Sequence, residues 1–215
     1  MTYAVLPAAG RSVRMGRPKL LLPLGKRTVI EHAIAAFQAA GVERIVVVAA
    51  ADLPELADVA ARAGASVPVL PEPTAQMRET VEAGLEFVEK RWQPTREDAW
   101  FLMPSDHPVL EPEVLRTLLL ARDEHPAHSL FVPTFAGRRG HPVLIGWSHV
   151  EPIRGFDRSL GLNRYIRSQS AQTLEVPVTN AGILADLDTP ADYERLRLSF
   201  FAAEGKDCDI ETKAR

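Results

Sequence analysis

Four residues in this sequence combine type and spacing in a way that suits chemistry on phosphates: Lys19, Asp106, Asp186 and Asp188. Lys19 closes a run of small and basic residues, Ala8-Ala9-Gly10-Arg11-Ser12-Val13-Arg14-Met15-Gly16, followed two positions on by Pro18-Lys19. Small residues let the backbone come close to a ligand, and successive backbone N–H groups in such a loop form a concavity for an anion. Arg14 and Lys19 would add charge-assisted bonds to phosphate oxygens. The spacing is neither a Walker A loop nor a GxGxxG fingerprint. An ordinary strand-to-loop turn with solvated Arg and Lys explains the composition equally well.

Asp106 stands in Met103-Pro104-Ser105-Asp106-His107-Pro108, just past the very apolar Trp100–Met103. A carboxylate there suits Mg²⁺ beside a nucleotide, because Mg²⁺ takes a few carboxylates and keeps phosphate and water as its other ligands. A capping aspartate is the plainer alternative, and His107 reads as a turn residue. Asp186 and Asp188 share one side if Ala185–Pro190 is extended, so either could add a second carboxylate. Asp188 or Thr189 before Pro190 is also a good helix N-cap. Gly137-Arg138-Arg139-Gly140-His141-Pro142 reads as a tight turn. Its Arg138, Arg139 and His141 could meet an anionic substrate or simply face water. Gln76, Arg78 and Thr80 open a helix near the same edge, where they could contact a nucleobase; polar residues at a helix start need no ligand to explain them.

These residues need a scaffold that brings chain positions 8–19, 76–80, 106 and 186–188 together, and the hydrophobic pattern supplies one. Residues 3–8 and Ile45–Ala49 read as buried strands, as do Val67–Leu70 and Trp100–Met103. The continuous β-branched run at 45–49 is typical of a strand covered on both faces. Helices are expected at about 28–40, Pro54–Ala63, 76–90 and Pro112–Glu124. Thr28 and Glu31 have capping-box spacing in the first of these, and Gly41 and Gly64 act as stops. Strand–helix alternation of this kind predicts a mostly parallel sheet covered by helices. Strands are expected also at Leu130–Phe135, Val143–Ile145, Leu174–Val178 and Ile183–Leu187, with a last helix from about Pro190 to Ala203. Residues 1–204 read as one domain and 205–215 as a charged, frayed tail. In such sheets ligands bind at the carboxyl ends of the strands, which is where the candidate loops fall.

Composition narrows the function. The chain has 215 residues, 25 Lys+Arg against 28 Asp+Glu, 46% hydrophobic residues and a formal net charge of −3. No overall basic footprint invites nucleic acid or an anionic membrane. No apolar run approaches the roughly 20 residues of a membrane-spanning helix. The single cysteine, Cys208, excludes internal disulfides and cysteine-based zinc sites, which fits a reducing cytoplasm. No GxSxG elbow, HExxH or zinc-ligand spacing is present.

In this order, the motifs resemble those of the molybdenum-cofactor nucleotidyltransferases. LPAAGRSVRMGRPKLLLPLG resembles that family's signature loop LAAGxSxRMGxxKxLLxxxG, PSDHPVL its DxP motif, and DLDTPADYERL its DIDTPeD motif. RRGHPVLI is similar to the GHP segment of the cytidylyl members. The family pattern departs at Gln76–Val81 and at Asp157–Arg164. The resemblance implies a Rossmann-like, three-layer α/β fold with a mostly parallel mixed sheet. It also implies Mg²⁺-dependent transfer of a nucleoside monophosphate, with CTP favoured, to a phosphorylated acceptor such as molybdopterin. Ala8, Ala9, Gly10, Ser12 and Thr80 would cradle the nucleotide. Arg14 and Lys19 would neutralise triphosphate charge, and Asp106 with Asp186 or Asp188 would hold Mg²⁺. Arg139 and His141 would meet the acceptor. A transient contact with an enzyme that receives the finished cofactor would follow. The other readings are transfer to a sugar- or alditol-phosphate, and a nucleotide-binding protein without catalysis.

Overall fold

A computed structural model of the chain describes residues 1–10, 15–107, 110–198 and 200. The strands are β1 (Thr2–Pro7), β2 (Pro23–Leu24), β3 (Arg27–Thr28), β4 (Arg44–Ala50), β5 (Val69–Leu70), β6 (Ala99–Leu102), β7 (Leu130–Phe135), β8 (Arg138–Arg139), β9 (Val143–Gly146) and β10 (Thr173–Pro177). The helices are α1 (Val29–Ala39), α2 (Pro54–Arg62), α3 (Met77–Trp92), α4 (Pro112–Glu124), α5 (Val150–Gly155) and α6 (Leu162–Ser168). Residues 190–198 are helical as well.

Eight strands form one sheet in the order β10-β7-β9-β6-β1-β4-β5, with β8 added beside β7; β2 and β3 make a separate hairpin. β5, β4, β1 and β6 pair in parallel, as do β7 and β10. β9 runs antiparallel to both β6 and β7. That reversal has a positional consequence. The residues entering β9, Gly140-His141-Pro142, lie at the same edge as the residues leaving β1 and β6. The glycine turn therefore delivers His141 to the carboxyl edge, although it precedes its strand.

Alternation along the strands divides the interior into two cores. Ala4 and Leu6 of β1, Ile45 and Val47 of β4, and Ala99 and Phe101 of β6 face α1, α2 and α4. Their neighbours Tyr3 and Val5, Val46 and Val48, and Trp100 and Leu102 face α3, α5 and α6. This period of two, buried on both sides, explains the unbroken apolar runs. The result is the three-layer α/β arrangement expected from the sequence. All three tryptophans belong to the second core. Tyr3, the second residue of β1, packs against Trp92 at 5.7 Å and Trp147 at 5.5 Å between ring centroids.

Local chemistry sets the helix ends. The Glu31 carboxylate accepts both the backbone N–H and the hydroxyl of Thr28, each at 2.7 Å, which closes α1 as its spacing predicts. Pro54 and Pro112 open α2 and α4, where a missing N–H costs nothing. Gly41 and Gly64, at φ of 84° and 98°, turn the chain out of α1 and α2.

The second half differs from the sequence reading in places. The strand expected at Ile183–Leu187 is absent: residues Ala181–Leu184 form a 3₁₀ turn, started by the Asn180 side chain accepting the Gly182 N–H. The sheet has already ended at Pro177. The strand expected at Val67–Leu70 shrinks to Val69–Leu70. Helices α5 and α6 and the β2–β3 hairpin were not anticipated. The C-terminal helix is described to residue 198, with residue 200 also helical; the rest of the expected helix and the tail at 205–215 lie outside the described residues. Among the described residues, no helix is long and apolar enough to cross a membrane.

Candidate nucleotide site

A cleft of about 580 Å³ opens at the carboxyl edge between β1 and β6. Pro7, Ala8 and Gly10 line it from the end of β1, Lys19 and Leu20 from the following turn, Thr74, Ala75, Met77 and Thr80 from the approach and first turn of α3, and Pro104 to Asp106 from the end of β6. Asp188 closes it from the C-terminal segment. Its size is in the range of small-ligand sites.

Each wall has a local anchor. Lys19 begins the 3₁₀ turn Lys19–Leu21, fastened by the buried side chains of Leu20 and Leu22. Ser105 donates its hydroxyl to the Pro7 carbonyl at 2.8 Å, and the Met103 N–H reaches the Val5 carbonyl at 3.3 Å, so the turn carrying Asp106 is bound to β1. The Thr74 N–H donates to the Ala9 carbonyl at 3.3 Å, and the hydroxyls of Thr74 and the buried Thr80 bond each other. These contacts hold the approach to α3 against the glycine loop. Ala9 itself is buried behind the cleft rather than lining it.

The floor is an ion cluster. The Lys19 ammonium lies 2.6 Å from Asp106 Oδ2 and 3.1 Å from Asp188 Oδ1. Burial works against the charged ammonium, but the two carboxylates outweigh it and hold its pKa above the ordinary lysine value. Thr189 and Asp192 cap the following helix: the Asp192 carboxylate accepts the Thr189 N–H at 2.9 Å and its hydroxyl at 2.8 Å. Because Thr189 takes the cap, Asp188 is left to face the cleft.

Asp186 goes elsewhere. Its carboxylate meets His107 Nε2 at 3.0 Å, and this bond holds the acid below its usual range. His107 is therefore no simple turn residue: it is 3% exposed and its ring stands 5.3 Å from that of His141. Three contacts strap residues 183–188 to this edge. They are His107 to Asp186, the Leu187 N–H to the Asp106 carbonyl at 3.2 Å, and the His141 N–H to the Ile183 carbonyl at 3.0 Å. Among the described residues, no three His, Cys, Asp or Glu side chains group as metal ligands. The cluster expected from Asp106, Asp186 and Asp188 resolves into Asp106 and Asp188 about Lys19, with Asp186 on His107.

Other expected site residues are distributed as follows. Thr80, Ala8 and Gly10 reach the cleft; Ser12 and Arg14 lie outside the described residues. Burial, then the neighbouring His107, lowers the His141 pKa to about 4, so it is a neutral group near pH 7 and not a cation for an anionic substrate. The Arg139 guanidinium is held by Glu175 of β10 at 2.7 Å and does not line the cleft. Arg78 does not line the cleft. It is 5% exposed, pairs with Glu82 at 2.9 Å and donates to the carbonyls of Ile153, Phe156, Asp157 and Leu160. Thr74, Ser105 and Met77 also line the cleft, although the sequence assigns none of them to the site. Their signal was position alone, next to motifs at strand ends.

In a mostly parallel α/β sheet the carboxyl edge, which here carries Lys19, Asp106 and Asp188, is where ligands bind. Residues 4–174 match the model of the MobA-like NTP transferase domain, and the chain belongs to that family. It is a nucleotidyltransferase by family. No curated protein matches it by sequence. Among solved structures it is similar to Rv0371c from Mycobacterium tuberculosis H37Rv, at 27% identity and TM-score 0.75, covering 92% of this chain and 97% of that one. A complex of Rv0371c with manganese matches at 27% identity and TM-score 0.72, covering 92% and 98%. A nucleotidyl transferase from Methanothermobacter thermautotroptrophicus, Mth528, matches at 23% identity and TM-score 0.73 over 94% and 99% of the two chains, which supports the fold.

Proposed function

We propose that this protein transfers the nucleoside monophosphate of an NTP, CTP in the first instance, to a phosphorylated acceptor such as molybdopterin. The observation that carries the reading is the Lys19 ammonium set between Asp106 and Asp188 on the floor of a cleft that Ala8 and Gly10 also line. The GHP segment, which brings His141 to the same edge, supports the cytidylyl branch.

An oxygen of the acceptor phosphate attacks the α-phosphorus, a new P–O bond forms, the α–β bridge bond breaks and pyrophosphate leaves. The task for the protein is to hold two anions in line and to neutralise charge that spreads over the phosphates. Lys19 supplies positive charge at the cleft floor, and the backbone of Ala8 and Gly10 lets the phosphates approach. Thr74 and Thr80 hold the α3 wall in place. Asp106 and Asp188 are hard oxygen donors and fit Mg²⁺, which needs only one or two protein carboxylates when phosphates complete its shell. Bound there, Mg²⁺ would neutralise phosphate charge.

Calorimetric titration of CTP, GTP, ATP and UTP with and without Mg²⁺, followed by a pyrophosphate-release assay over phosphorylated acceptors, tests the reading. Preference for CTP and turnover with molybdopterin support it. Turnover with a sugar- or alditol-phosphate moves the acceptor. Tight NTP binding with no pyrophosphate from any acceptor overturns catalysis in favour of nucleotide binding alone. Lys19→Ala and Asp106→Ala should each lower pyrophosphate release at least a hundredfold, the scale of losing one transition-state contact; unchanged release in either would remove the assigned roles.

A further inference from the structure

Lys19 occupies the ground that a divalent cation would need. Its ammonium is within hydrogen-bond distance of both Asp106 and Asp188, and all three side chains are largely shielded, at 17%, 20% and 31% exposure. An ammonium in this position and a divalent ion on the same two carboxylates repel each other. Shielding from water strengthens the repulsion. The same lysine heads a short, well-anchored turn, but its long side chain has rotatable bonds enough to move within the cleft, from the two carboxylates toward the part that Ala8 and Gly10 line. We propose that Lys19 is a resident cation of the Asp106–Asp188 pair in the ligand-free protein, and that a divalent cation gains the pair only as a triphosphate draws the ammonium away.

The inference rests on reading the cleft as an NTP site, and it adds a rule of loading. Cation and nucleotide arrive together, because each relieves the charge conflict the other meets. Linkage makes the effect reciprocal: the triphosphate strengthens cation binding by the factor by which the cation strengthens triphosphate binding. In the ligand-free protein, the lysine also keeps two neighbouring carboxylates from repelling each other, so the loop after β6 and the segment ending at Asp188 stay together while the site is unloaded.

The test uses Mn²⁺ alone as the probe, followed by the paramagnetic resonance of the free ion and by thermal melts. The proteins are the wild type, Lys19→Met, Lys19→Arg, the surface control Lys26→Met, and Asp106→Asn in the wild-type and Lys19→Met backgrounds. Lys19→Met should bind Mn²⁺ about 5- to 150-fold more tightly than the wild type, the usual span of a coupling between sites. Asp106→Asn should erase that gain, and Lys26→Met should match the wild type. Lys19→Arg keeps the charge and should bind no more tightly than the wild type. Without metal, Lys19→Met should melt at a lower temperature, and Mn²⁺ should restore it at a concentration that leaves the wild-type melt unmoved. Equal Mn²⁺ affinity in wild type and Lys19→Met, lost on Asp106→Asn, would leave the cation site standing and overturn the exchange. A gain matched by Lys26→Met or by Lys19→Arg would overturn it too. No Mn²⁺ binding to any of these proteins would overturn the exchange and the cation site together.

Discussion

His141 shows how one residue's surroundings decide its chemistry. Most of its ring is out of water, and the His107 ring is its neighbour, so the proton that an exposed histidine would accept near pH 6.5 is refused until about pH 4. The sign of the stability effect follows. Above pH 6.5 neither the folded nor the unfolded chain holds this proton, and the contribution is fully present. Below it the unfolded chain takes the proton first, and stability is lost as pH falls toward 4. The full swing is roughly 3 kcal/mol, and about 2 kcal/mol of it lies between pH 7 and pH 5. Urea unfolding at those two pH values should show that much of the wild-type slope disappearing in His141→Phe. Equal slopes in both proteins would sink the assignment. Lys19 and Asp106 could be picked out from residue type and spacing, because phosphate chemistry selects for lysine and aspartate at strand ends. His107 could not, since only its burial and its contact with Asp186 distinguish it from any histidine in a turn.

At the scale of elements, α3 has two jobs that meet in its first turn. Met77 and Thr80 line the cleft, while Arg78 ties the same turn to carbonyls in the last turn of α5 and in the loop after it. A guanidinium with four carbonyls and a carboxylate around it, almost wholly out of water, is a joint between two parts of the chain. Removing it leaves Glu82 without its buried partner and the carbonyls without donors. Arg78→Ala should therefore cost about 3–5 kcal/mol of stability, read as a fall in the denaturant midpoint. It should also weaken NTP binding through the displaced first turn. Full stability in Arg78→Ala would show that the loop at 153–160 holds itself. Sequence pattern revealed α1 to α4 because each has a cap or proline start and an apolar stripe. It missed α5 and α6 because helices of six and seven residues are too short to show periodicity. It read Ile183–Leu187 as a strand, although this segment lies off the sheet, held by the side chain of His107, the carbonyl of Asp106 and the N–H of His141.

For the whole molecule, the sheet is the shared wall of both cores. The cleft is built from segments spread from Pro7 to Asp188, and a ligand there must brace distant parts of the chain. An NTP with Mg²⁺ at a hundred times its dissociation constant adds about 2.7 kcal/mol to the folded state. For a chain of this length that raises the melting temperature by about 5–10 °C in a single transition. Asp106→Asn should cancel most of the rise. A rise of the same size in that variant would place the nucleotide elsewhere.

The tryptophans carry a consequence for anyone who wishes to watch this protein by light. Trp92 ends α3, Trp100 is the second residue of β6 and Trp147 follows β9, so all three gather around Tyr3 at the amino edge of the sheet. The cleft is at the other edge. Intrinsic emission is thus a built-in gauge of whether the second core is intact and is blind to an occupant of the cleft. An unchanged spectrum on adding nucleotide says nothing against binding, and a changed one reports a rearrangement that has crossed the full height of the sheet.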